Sequence, residues 1–272
     1  MKVRKLYQKY PITGSIIVTF LAVGSMKLIN MFMQMLPGGL TRDYLMHGAT
    51  ILAAYLIVRV LGYSRIYRIG DAGKTVIAGL PQILLESVFL AGTVAAVFIG
   101  YGAGWRPWPE ILLGLLKLFR IGFMEESIFR GVIANMVGIR YGKDLKGIWA
   151  AVIVSGLIFG AMHMSNMVSG VGFSSALAQS VIACLVGIYL TAVYFRGGNI
   201  WIMMLIHALT DSIGLFNSSF TTMGTTDADA VNAISFRGAA FFLIYLVLAL
   251  FLLRRSKIPE VMENLRAAAG EE

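Results

Sequence analysis

Long apolar runs separated by short polar or glycine- and proline-containing connectors dominate the chain. They fall at approximately residues 11 to 34, 44 to 62, 83 to 101, 110 to 137, 147 to 166, 173 to 195, 199 to 218 and 238 to 253. A helix of about 20 apolar residues crosses a hydrocarbon core of about 30 Å. It satisfies its own backbone hydrogen bonds, as lipid demands. Pro37-Gly38-Gly39, the stretch from Gly102 to Pro109, and Gly197-Gly198 supply the expected breaks. The pattern predicts an all-α polytopic membrane protein, a bundle of about eight transmembrane helices. Residues 1–272 read as one membrane domain, with residues 110–218 as its core helices.

Composition agrees with this reading. The chain is 58% hydrophobic and 14% charged, against roughly half and a quarter in soluble domains. The first run follows a basic start (Lys2, Arg4, Lys5, Lys9), and Lys27 stands where a signal peptide would be cut, so a retained signal anchor is expected. Cys184 is the only cysteine, which excludes an internal disulfide and a cysteine-based metal cluster.

Positively charged loops stay on the cytoplasmic side. With the N-terminus inside, fifteen Lys and Arg fall on inner segments, and only Arg42, Arg106 and Arg237 fall outside. The expected location is therefore a bacterial-type cell membrane, with both termini cytoplasmic. The net charge of +9 follows from topology and contact with anionic headgroups. It gives no reason to invoke nucleic acid.

Ionisable residues inside a span are expensive and mark function. The fourth run contains Glu125-Glu126-Ser127-Ile128-Phe129-Arg130, with Lys117 and Arg120 upstream. Glu126 and Arg130, four apart on a helix, can neutralise one another. Glu125 is turned about 100° from Glu126 and is free to face a cavity as a general base. Of three histidines, His163 follows Phe159 by one turn in the fifth run, and His207 precedes Asp211 by one turn in the seventh. The latter pair can hydrogen-bond along one helix face. His47 reads as interfacial. Lys27, Arg59 and Glu86 are expected to reach headgroups from near span ends. Lys117 and Arg120 are either helix-face anchors or contacts for an anionic end of a substrate.

In order, Glu125-Glu126-x-x-x-Arg130, Phe159-x-x-x-His163 and His207-x-x-x-Asp211 resemble the motifs of the CPBP intramembrane proteases. These are the Abi or CAAX-protease-like proteins, which include the eukaryotic enzyme that trims prenylated CAAX tails. The resemblance covers roughly residues 120 to 215. It implies a helical cavity in which Glu125 and His163 activate a water, while His207 with Asp211 stabilises the oxyanion or completes the site. Glu125, His163 and His207 would also make a sensible zinc set, so a metal cofactor and a metal-free site both stand open. The implied partner is a membrane-anchored or hydrophobic peptide or protein. The CAAX-trimming branch ends its last motif in Asn, and Asp211 departs from it: a carboxylate repels an oxyanion, so Asp211 fits better as a group that orients His207.

Other intramembrane protease motifs fail. No histidine starts HExxH, Ile153 spoils GxSG at Ser155, and Arg68 spoils GxGD at Asp71. Two rival classes use the same residues differently. A proton-coupled transporter would use them as a relay, although no paired halves with interrupted helices are visible. A non-catalytic relative would act by binding, as an immunity factor or as the partner of a membrane sensor kinase.

Overall fold

The computed structural model describes residues 7–270. Lys2, Arg4 and Lys5, used in the topology count, lie outside them. The order opens with α1 (Pro11–Gln34), α2 (Leu40–Val60), α3 (Ala72–Ala95) and α4 (Trp108–Glu125). The helix of α4 then widens into π-helical turns over Glu126–Ala134 and resumes as α5 (Asn135–Tyr141). Next come α6 (Leu145–Met162), α7 (Phe173–Gly197) and α8 (Ile200–Gly214). The short helices α9 (Phe216–Phe220), α10 (Asp227–Asn232) and α11 (Phe236–Ala239) lead to α12 (Leu243–Leu252) and α13 (Ile258–Ala269). Among the described residues the only extended pairing is a single bridge between Trp105 and Thr221.

The protein is thus an all-α polytopic membrane protein. By length and composition, four segments among the described residues are able to cross a bilayer: Pro11–Gln34, Ala72–Gly100, Leu145–Ser169 and Phe173–Gly197. A bent pair, Phe236–Leu252 with Arg255–Ala269, makes up to a fifth. Three expected spans, α2, α4 and α8, fall outside that set. α4 carries Glu110, Lys117, Arg120 and Glu125, and α8 has only 15 residues. The third helix begins earlier than its apolar run, because Asp71 caps it by accepting a hydrogen bond from the Lys74 amide at 2.9 Å.

Burial orders the bundle. The apolar window of α7 is 61% buried, against 11% for α1 and α3. Side chains such as Phe20, Ile77 and Val88 on the outer helices are exposed, as lipid-facing residues are. Glycines let α6 and α7 cross closely: a Cβ on Gly160 would stand 2.6 Å from the Ser180 carbonyl oxygen, and one on Gly156 would stand 2.9 Å from the Ile188 nitrogen. The expected charged tail after residue 253 is instead helix α13, which buries Val261, Leu265 and Ala268. Its Asn264 amide donates to the carbonyls of Phe195 (3.0 Å) and Arg196 (3.2 Å), capping α7.

α4 and α8 meet at Gly122, where a Cβ would lie 2.6 Å from the Met204 carbonyl oxygen. These helices hold the motif glutamates and His207, so their spacing sets the site. Gly122→Ala must push them apart. Misplacement of about 1 Å costs on the order of 10²-fold in rate. A loss of activity of at least about tenfold, without loss of folded protein on size-exclusion chromatography, is the expected result.

Candidate active site

The site is built where the helix of α4 changes pitch. Glu125 closes α4, and Glu126 opens the π-helical turns. Such widened turns often occur at functional sites because they re-aim side chains inside a helix. The expected Glu126–Arg130 pair survives the change of pitch. Arg130 Nη1 donates to Glu126 Oε1 at 2.8 Å, with both side chains fully buried. The Arg130 guanidinium also lies 4.3 Å from the centre of the Phe159 ring, a cation–π contact between two buried groups.

His207 joins this pair from α8. Its Nδ1 donates to the same Glu126 Oε1 at 2.6 Å. That bond fixes the ring, and Nε2 points between two further acids: Glu125 Oε2 at 3.4 Å and Asp211 Oδ2 at 3.7 Å. The expected His207–Asp211 hydrogen bond is therefore not formed. The partner that orients His207 is Glu126, 81 residues away in sequence, and Asp211 faces the other ring nitrogen beyond hydrogen-bonding distance. Both Glu125 Oε2 and Asp211 Oδ2 are buried without hydrogen-bond partners.

His163 ends α6 and starts the 3₁₀ turn His163–Ser169. Its Nδ1 bonds the Phe159 carbonyl at 2.8 Å, and its ring packs edge-on against Phe159, 4.9 Å between centres. With Nδ1 donating, the neutral ring keeps its lone pair on Nε2. Phe159 is the common spacer, since the His207 ring stands 5.9 Å from it on another side. Among the described residues no three His, Cys, Asp or Glu are arranged to hold a metal ion.

Two residues expected near the interface are buried. His47 is 4% exposed and its Nδ1 has no partner, because α2 packs against α4 and covers it. Glu86, also 4% exposed, lies deep in α3. It accepts hydrogen bonds from Gln82 (2.9 Å), Thr210 (2.9 Å) and Tyr245 (3.3 Å), so it ties α3 and α12 to α8 at the turn after His207. The spacing of Gln82 and Glu86 by four residues was a visible signal of a shared buried face. Lys117 is an anchor: it donates to Asp227 at 2.7 Å and, with Ser218, holds the segment after α9 against α4.

Fold and site together define an integral membrane protein with a buried carboxylate–imidazole–guanidinium cluster across α4, the π-helical turns and α8. Residues 107–213 match the family model described as Rce1-like, type II CAAX prenyl endopeptidase. This segment contains every motif residue and agrees with the CPBP resemblance drawn from the motifs. The matched family is one of proteases. No curated protein matches the chain.

Proposed function

We propose that the protein is an intramembrane endopeptidase that hydrolyses a peptide bond in a membrane-associated or lipid-linked substrate. One observation carries the reading most strongly: His207, clamped by Glu126, presents Nε2 to Glu125, whose Oε2 is buried without a partner. A buried carboxylate free of protein hydrogen bonds, beside an imidazole held in place, is what a general base for water requires.

In this account His163 Nε2 holds the attacking water, and Glu125 takes its proton and passes it to the leaving amine nitrogen as the C–N bond breaks. The Nε2–H of protonated His207 donates to the developing oxyanion. Glu126 and Arg130 do not touch the substrate; they hold the imidazole and lock the widened helix. Asp211, beyond hydrogen-bonding distance of His207, favours the imidazolium through its charge. The prenyl-endopeptidase name of the matched family supports a lipidated peptide as the substrate.

Purified protein in liposomes, given a library of membrane-anchored and prenylated peptides, is expected to cut at one bond as read by mass spectrometry. Intact peptides together with proton-driven solute uptake would support the transporter reading instead. The route described uses no metal, so cleavage is expected to survive exhaustive chelation with 1,10-phenanthroline. Loss that zinc restores would reassign Glu125, His163 and His207 as ligands.

A further inference from the structure

The short 3₁₀ turn Ser64–Tyr67 lies between α2 and α3 and touches both helices that carry the site. Its Ile66 is buried and fills the space left by Gly131 in the π-helical turns, where a Cβ would overlap Ile66 Cδ1. Its Tyr67 grips the helix on either side of the glutamate pair. The Tyr67 ring stacks on Phe123, 5.7 Å between centres and 9° between planes, and the hydroxyl donates to Ser127 Oγ at 3.0 Å. Phe123 belongs to α4 and Ser127 to the π-helical turns, so one side chain spans the point where the pitch changes.

The same residue reaches α8. Trp201 Nε1 donates to the Tyr67 carbonyl at 3.1 Å, and the Trp201 ring stands 5.7 Å from that of Tyr67 and 6.0 Å from that of Phe123. Three rings, one each from the turn, α4 and α8, thus form a closed junction at spacings where aromatic pairs attract. Phe123 lies two residues before Glu125, and Trp201 lies six before His207. Ser127 is fully buried and follows Glu126, the residue that clamps His207. π-helical turns are rare and replace the regular α-helix only locally, so contacts from outside the helix must hold them.

We propose that Tyr67 is a positioning residue: it fixes the widened turns against α8 and so sets where Glu125 and Glu126 stand relative to His207. The inference rests on the peptide-cleaving reading of Glu125. Tyr67 acts through Ser127, Phe123 and Trp201 and takes no part in the proton transfers.

Full-length variants in liposomes, given a fluorescent prenylated peptide, provide the test. Tyr67→Phe deletes the hydroxyl and keeps the ring stack and the carbonyl. Its kcat is expected to fall about tenfold or more, since misplacement of about 1 Å costs on the order of 10²-fold, while KM and the unfolding temperature stay close to wild type. Ser127→Ala removes the other half of the same bond, so it should match Tyr67→Phe, and the double variant should be no slower than either. Ser64→Ala, exposed in the same turn, should change nothing. Gly131→Ala should lose activity through its overlap with Ile66 Cδ1, and adding Ile66→Val, which removes that atom, should restore it. A readout independent of turnover is the proton resonance of the short His207–Glu126 bond, a charge-assisted contact that Tyr67→Phe should move. Wild-type kcat in Tyr67→Phe, additive losses in the double variant, or an unmoved resonance would each overturn the proposal. A moved resonance in a protein whose wild type cuts no peptide would leave Tyr67 as the residue that positions His207 and refute the cleavage reading alone.

Discussion

Glu125→Gln is expected to lower the rate of peptide hydrolysis by about three orders of magnitude while leaving the bundle folded. The magnitude is that of a general base, about 10²- to 10⁴-fold. The substitution keeps the size of the side chain and removes its negative charge and its ability to take a proton. Glu125 Oε2 makes no hydrogen bond, and the one contact altered is its 3.4 Å approach to His207 Nε2, where the amide keeps the shape and removes the charge. Thermal unfolding should therefore stay close to wild type. A Gln variant that cuts at the wild-type rate would remove Glu125 from its assigned role, leaving Asp211 as the other unpartnered carboxylate beside His207.

Arg130→Ala should instead act through stability. Arg130 and Glu126 are fully buried, and removing one partner of such a pair leaves an uncompensated charge at a cost of about 3 to 5 kcal/mol. Glu126 also holds His207, so activity falls with stability. The double variant Glu126→Leu with Arg130→Met discriminates between the two effects. An apolar pair of similar volume avoids the stranded charge, so the double variant should unfold at a higher temperature than Arg130→Ala while remaining inactive. If Arg130→Ala unfolded like wild type, the pair would be reached by water and the argument from burial would lose its basis. Differential scanning fluorimetry in detergent reads both cases.

The amino-acid pattern revealed what is local. The apolar runs mark the helices, and a spacing of four marks the Glu126–Arg130 pair, because both depend on residues within one or two turns. Contacts between distant segments were not legible. The bond from His207 to Glu126 joins two helices, whereas spacing along α8 pointed to Asp211. Glu86 looked like a residue near a span end until Thr210 and Tyr245 closed around it. His47 was hidden by the packing of α2 on α4, which no one-dimensional pattern records. Helix α13 escaped notice because its charged residues resembled a solvated tail, although Val261, Leu265 and Ala268 recur at helical spacing. The π-helical turns have no residue signature in this chain; they show only in the backbone.

Incubating wild-type protein in liposomes with a prenylated peptide in oxygen-18 water, and weighing the products, tests the central claim most directly. Hydrolysis by a water activated at Glu125 predicts one new carboxyl group carrying a single heavy oxygen, formed by wild type and absent with Glu125→Gln. An intact peptide after prolonged incubation with verified folded protein, or labelled product formed equally by both proteins, would contradict it.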